Sequence, residues 1–273
     1  MTFALSTNWN NRRLTTGEAI VEEALALGFG ALELGFCTTD AQVRGFKARL
    51  DEMPVGSIHA FCPVPLSAPW GHPELYRLAD FDDAVRALAR AHVVRNVEFA
   101  ADMGADAVVL HAGRVPCRTL FRRNRMKKRA RLGRRLTDVF RRELEGLVPV
   151  LERNRVVLGL ENLPYLEGFP DEAEIPSLVG EWVRPWLDTG HAHVRQVNGW
   201  TRGALSEPVG LHLNDSRGGD DHLPPGEGDV DFAALAPQAR TARHLVLEPH
   251  AGVSAEALAR GLGHLKSLWL HHA

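Results

Sequence analysis

Nine side chains of metal-binding type recur about one strand-helix unit apart: His59, His111, Glu161, Asp188, His191, His212, Asp220, His222 and Glu248. Most of them close a short apolar run, as in VGSIHA, AVVLHAG, VVLGLEN, PWLDTGH, VGLHLND and HLVLEP. In each run the polar residue falls where a buried strand would stop and a loop begin. A parallel barrel gathers the carboxyl ends of its strands on one face, so these positions are expected to share one site. A lone His or Asp at a strand end is ordinarily structural. Its recurrence over six successive strands is what argues for function. Five imidazoles and four carboxylates form a mixed nitrogen and oxygen set, suited to Zn, Mn, Co or Fe rather than to Ca or Mg. At about four to six ligands per ion, some from water or a bridging carboxylate, that set is expected to be enough for two or three divalent ions.

Two local patterns refine the expectation. Asp188-Thr-Gly-His191 puts two donors one turn apart where a strand feeds a helix. In Asp220-Asp221-His222-Leu-Pro-Pro-Gly-Glu-Gly228, extended alternation turns Asp220 and His222 to one side and Asp221 away, with prolines and glycines holding the loop. Glu161 and Glu248 follow the fifth and eighth expected strands. Two carboxylates facing across a barrel mouth can move a proton between adjacent carbons of a substrate.

The elements that would position these groups alternate regularly. Strands are expected near Phe3 to Ser6, Ala31 to Leu34, Gly56 to His59, Ala107 to His111, Val156 to Glu161, Trp186 to Asp188, Gly210 to Leu213 and Leu245 to Glu248. Helices are expected over Thr16 to Leu27, Thr39 to Leu50, Phe81 to Met103, Thr119 to Glu152, Glu172 to Val179, Phe232 to Ala239 and Ser254 to Leu270, with Asn198, Gly199 and Gly203 interrupting the segment after His191. This is an α/β pattern. With no glycine-rich G-x-G-x-x-G after the first strand, it points to a (β/α)8 TIM barrel over residues 1–273 rather than an open doubly wound sheet.

The composition, 45% hydrophobic and 24% charged with a net charge of -2, is that of a globular chain. No apolar stretch reaches the length of a membrane span and the start lacks the order of a signal peptide, so a cytoplasmic protein with no membrane partner is expected. Cys37, Cys62 and Cys117 are too scattered for a disulfide framework. From Arg114 to Arg142 there are 13 Lys and Arg against one acid, Asp138. Such a stretch can bind a polyanion, but Leu132, Leu136, Val139, Phe140, Leu144, Leu147 and Leu151 recur at helical spacing in or just after it, which favours the solvated face of one long helix. Trp70, Trp182, Trp186 and Trp200 could floor a sugar pocket or pack beneath loops.

Taken together, IHAF, VVLHAG, LGLENLP, LDTGHAH, LHLNDSRGGDDHLPPGEGDVDF and LVLEPH resemble the xylose isomerase-like barrel superfamily, in particular its sugar phosphate isomerase/epimerase group. That superfamily also includes apurinic endonucleases of the endonuclease IV type. The resemblance implies a TIM barrel with a divalent-metal site. In the epimerase branch, the positions matching Glu161, Asp188, His212 and Glu248 bind one Mn-like ion and the two Glu act as acid and base. In the endonuclease branch all nine positions match a three-zinc cluster. On the first reading a metal-dependent isomerase, epimerase or related lyase acts on a small carbohydrate, Glu161 and Glu248 are catalytic, and Arg217 and His191 contact the substrate. On the second, a three-zinc phosphodiesterase acts on abasic DNA, although the loops TNWNNRR and CPVPLSAPWGHP do not match that branch. A third reading is a non-catalytic barrel that keeps its metals for structure. With two or more ions, Glu161 is expected to bridge, with Asp188, His212 and Glu248 on the first ion and His59, His111 and His222 on the others.

Overall fold

A computed structural model describes residues 1–118, 122–196 and 207–270. Eight strands close a barrel: β1 (Phe3–Ser6), β2 (Ala31–Leu34), β3 (Val55–His59), β4 (Ala107–Leu110), β5 (Val157–Glu161), β6 (Val183–Asp188), β7 (Gly210–His212) and β8 (His244–Leu247). Each pairs in parallel with the strand before it, and β8 returns to β1. The carboxyl ends therefore all face one way, as the sequence pattern requires.

The outer layer is α1 (Gly17–Ala26), α2 (Asp40–Lys47), α3 (Asp83–Asp102), α4 (Arg122–Asn154), α5 (Thr189–Arg195), α6 (Ala236–Thr241) and α7 (Ala255–Leu270). Start signals are local. Thr39 and Gln42 form a reciprocal capping box on α2, and the Asp82 carboxylate accepts from the first turn of α3. The helix expected over Glu172 to Val179 is instead a single 3-10 turn, Ile175–Ser177. Pro176 has no amide hydrogen to continue a helical ladder, and the Glu174 carboxylate that could cap one is committed to Arg129 at 2.6 and 2.9 Å. Asn198, Gly199, Trp200 and Gly203, and the Thr119 start of the fourth helix, lie outside the described residues.

Two apolar regions hold the elements together. The larger fills the space between barrel and helices, where Leu132, Leu136, Phe140, Leu144, Leu147 and Leu151 of α4 are buried. The smaller lies inside the barrel, where Ala4, Ala107, Val109, Val157 and Val246 surround Trp186. Glycine at 159 on β5 is a space requirement, since a Cβ there would lie 2.8 Å from the indole. Trp186 stands one inward position below Asp188, with its ring edge-on to His212 at 5.3 Å. It is thus the apolar floor beneath the polar layer, not a wall of the cavity above.

Two arginines of the basic run of α4 are anchored to the loop after β5. Arg125 pairs with Glu167, while the buried Arg129 pairs with Glu174 and Asp171 and donates to the carbonyls of Leu166 and Gly168. These bonds hold the loop after β5 against the helix. Among the described residues, no helix is long and apolar enough to cross a membrane.

Candidate metal centre

The strand ends place three groups of donors side by side: His59, His111 and Glu161; Glu161, Asp188, His212 and Glu248; and Asp188, His191 and His222. Within each group the donor atoms lie within 4.8 Å of one another. Glu161 and Asp188 each belong to two groups, so the three positions form one continuous cluster. Glu161 Oε2 lies 3.2 Å from His59 Nε2 and 3.0 Å from His111 Nε2, while its Oε1 lies 3.2 Å from His212 Nδ1. Glu248 Oε2 approaches the same His212 nitrogen at 3.3 Å.

Ring orientation shows how these imidazoles are held. The Nδ1 of His59, His191 and His222 bonds the carbonyl oxygens of Ala60, Asn162 and Glu248, at 3.0, 2.8 and 2.8 Å. A carbonyl only accepts, so each Nδ1 carries the proton and each Nε2 faces the cluster with its lone pair when the ring is neutral. His191 Nε2 and His222 Nε2 point at one another across 3.3 Å. His212 is reversed: its Nε2 meets the Glu33 carboxylate at 3.1 and 3.2 Å, leaving Nδ1 for the cluster. Partners of this kind on the far nitrogen are what orient metal-bound imidazoles.

The carboxylates are equally constrained. Asp188 Oδ1 caps α5 by accepting from the His191 amide at 2.7 Å, and Oδ2 accepts from Asn214 Nδ2 at 2.6 Å. Glu248 Oε1 accepts from Asn8 Nδ2 at 2.8 Å. Burial would raise the carboxyl of Glu161, but the charges of His111 and His212 and the hydrogen bonds from both rings hold it well below the ordinary range. Burial disfavours a proton on His59, yet the bond to Glu161 and the charges of Glu161, Glu248 and Glu33 raise its pKa to about 9. His212 and His222 are raised against burial too, with Glu248 the largest opposing charge for each. Burial instead lowers His111, outweighing the pull of Glu161. Without a cation, the carboxylates keep protons on neighbouring rings. A divalent ion can replace those protons, so the donor set fits the mixed nitrogen and oxygen site of a transition metal.

Asp220, expected as a ligand, does not join the cluster, and Arg217, expected to contact the substrate, does not line the cavity. Asp220 is exposed, and Arg217 donates outward to the Glu227 carbonyl at 2.6 Å. They face each other as a register pair in the ribbon formed by Asp215–Arg217 and Asp220–Leu223. His222 has φ of +56°, which breaks the alternation on which the expected register relied. His222 thus turns inward together with Asp221, whose Oδ2 lies 3.8 Å from His191 Nε2. The loop itself is wound around Asp215, whose carboxylate accepts from the amides of Ser216, Gly226, Gly228 and Val230 at 2.8 to 2.9 Å.

Glu33 belongs to the same layer, although it is not among the nine expected ligands. Its run, ALELGF, has the same form as the others, a carboxylate near the end of an apolar strand. It is fully buried beneath His212, with its pKa lowered because His212, His59 and the Ser57 hydroxyl outweigh burial. Asn8, Asn162 and Asn214 had no comparable signal, since an Asn in a loop is common and their role depends on the closed barrel.

Above the cluster opens a cavity of about 390 Å³, reached by His59, His111, Glu161, His191, His222 and Glu248. None of the described tryptophans lines it. Cys62 and Cys117 are buried, and burial pushes the Cys62 thiol up.

The family model described as xylose isomerase-like TIM barrel matches residues 21–268. A search of curated proteins by sequence finds no match. Among solved structures, the chain resembles a D-tagatose 3-epimerase-like protein at 20% identity and a TM-score of 0.70, covering 98% of this chain and 97% of that one. It resembles apo 3-keto-D-glucoside 4-epimerase, YcjR, from E. coli at 18% identity and a TM-score of 0.70, over 98% and 99% of the two chains. Endonuclease IV from Thermus thermophilus aligns at 20% identity with a TM-score of 0.64, over 100% of both.

Proposed function

Because this chain belongs to the xylose isomerase-like TIM barrel family, we propose that it is an enzyme, a divalent-metal-dependent isomerase or epimerase of a small carbohydrate. The observation that carries this reading is the group Glu161, Asp188, His212 and Glu248 at the base of an open cavity that both glutamates reach. Structural likeness to proteins named as sugar epimerases agrees with it. These four residues would hold the principal ion, with Glu161 shared toward His59 and His111 and with Asp188 shared toward His191 and His222. A divalent cation held there supplies positive charge that polarises a carbonyl and hydroxyl pair of the substrate.

The residues themselves do the proton work. One of Glu161 and Glu248 accepts a proton from the carbon beside the carbonyl, and the other returns one to the opposite face or to the adjacent carbon. The Asn8 bond fixes Glu248 Oε1, which leaves Oε2 toward the cluster. A structural metal site is coordinatively closed, whereas this one lies under a cavity of about 390 Å³. Protein loaded with Mn, Co or Zn should interconvert members of a panel of ketoses, keto-glycosides and inososes. Absence of any sugar turnover alongside cleavage of an abasic-site duplex would reverse this assignment.

The second reading, a multi-zinc phosphodiesterase like endonuclease IV, is favoured by the three adjoining donor groups. Metal content discriminates. Two or more ions per chain, reduced by changing His59 and His111 to Ala, is compatible with both readings. A single ion unaffected by those changes leaves only the isomerase.

A further inference from the structure

We infer that the substrate is anionic and that its phosphate or carboxylate group lies against the Arg12 guanidinium at the rim of the cavity. The identity of the carbohydrate rests on the isomerase or epimerase reading, whereas the anion site does not. Two arginines, Arg12 and Arg114, line the cavity. Arg13, the next residue, pairs with Glu23 at 2.8 Å. Arg114, the other arginine on the cavity wall, directs Nε and Nη2 to Glu74, lies over the Tyr165 ring at 4.3 Å, and shares Glu74 with the Tyr165 hydroxyl. Its charge is already compensated by a carboxylate that is only 6% exposed.

Arg12 differs. Both of its hydrogen bonds leave from one nitrogen, Nη2, toward the Cys37 sulfur at 3.2 Å and the Trp70 carbonyl at 3.1 Å. These acceptors tie together the loops after β1, β2 and β3 without neutralising the cation. Among the described residues no carboxylate pairs with it, and Glu74 is the one wall carboxylate outside the metal cluster. Nη2 is spent on the protein, but Nε–H and the two Nη1 hydrogens of this exposed guanidinium have no partner among the described residues and can donate, with the uncompensated charge, to the oxygens of an anion.

Its position gives the bound molecule a direction. Asn8, four residues before Arg12 in the same loop, bonds Glu248 of the cluster, so this loop runs from the glutamate corner to the rim. A carbohydrate with its reacting carbons between Glu161 and Glu248 would carry its charged end toward Arg12. A volume of about 390 Å³ lies toward the small end of ligand pockets, about 300–1,000 Å³, and suits a monosaccharide.

The test uses metal-loaded protein freed of excess metal, titrated calorimetrically with inorganic phosphate, D-fructose 6-phosphate, D-gluconate and D-fructose. The wild type should bind an anionic sugar more tightly than D-fructose. Arg12→Gln should weaken inorganic phosphate and the preferred anionic sugar about tenfold to hundredfold, the range of a charge-assisted pair, and leave D-fructose unchanged. Arg12→Lys should recover part of the loss, which a purely structural tether would not. Preference for the phosphate or for the gluconate identifies which anion is read. Equal phosphate affinity in wild type and Arg12→Gln, or D-fructose bound as tightly as both anionic sugars, overturns the inference. Arg12-dependent phosphate binding without turnover of any sugar would sink the isomerase reading and leave the anion site standing.

Discussion

Each oriented histidine of the centre commits one ring nitrogen to a carbonyl or carboxylate and offers the other to the cluster, so the oxygen partners are as much part of the site as the ligands. Losing such a partner costs about 10–100-fold in metal affinity. Glu33→Gln, which weakens the hold on His212, is therefore expected in that range by competition with a chelator dye. Glu161→Gln removes the carboxylate shared by two donor groups and should lose more than a hundredfold in both retained metal and turnover. Unchanged metal content and activity would eliminate the proposed site. The aspartate pair makes a sharper contrast. Alternation along an extended strand turns Asp221 away, but the positive φ of His222 reverses the two faces. Asp221→Asn should lower occupancy of the His191 and His222 position, while Asp220→Asn, on the exposed side, should match wild type in metal titration. The opposite ranking would restore the extended register.

The loop that carries these aspartates depends on one buried carboxylate. Asp215 is 1% exposed and accepts four backbone amides, three of them from across the loop. Asp215→Ala would leave those donors unpaired at a cost of about 2–3 kcal/mol, and should speed proteolytic cleavage between Arg217 and Gly228. Cleavage as slow as in wild type would show that the prolines alone hold the loop. Regularity of this sort explains what could be read beforehand. β1 and β2 run Phe3–Ser6 and Ala31–Leu34 as the apolar runs alone indicated, five other strands differ at one end by one to three residues, and β8 is shifted by one residue at both ends. A polar residue at a strand end is placed by closure of the barrel, which is why His59, His111, Glu161, Asp188, His191, His212 and Glu248 were visible as a set. Asp220 and Arg217 lay in a ribbon whose register turns on one backbone angle, and no pattern of residue types encodes that angle. The helix expected over 172–179 failed for a related reason. Its polar residues read as helix formers, but Arg129, 45 residues earlier, claims Glu174.

At the scale of the whole molecule, the barrel concentrates like charges at one mouth and tolerates them only with protons or cations as compensation. That makes stability depend on pH differently in the metal-free and metal-loaded protein. His59 titrates at about 9 in the fold against an ordinary 6.5, so its stabilising proton is fully present below pH 6.5 and lost as pH rises toward 9. His212 and His222 are raised as well and act in the same sense. His111 is lowered, so its opposite contribution is complete once pH exceeds 6.5. Glu161, held below its ordinary 4.5, contributes above that value and fails only on acidification. Chelator-treated protein should therefore melt at progressively lower temperature between pH 6.5 and 9. A bound divalent ion takes the place of those protons and binds more tightly as they leave. At a free concentration of 100 times Kd, one ion adds about 2.7 kcal/mol, or roughly 5–10 °C for a chain of this size. The difference in Tm between metal-loaded and chelated protein, followed by calorimetry, should widen across that interval. A constant or shrinking difference would mean that the histidines do not exchange their protons for metal, and that the ion is held elsewhere.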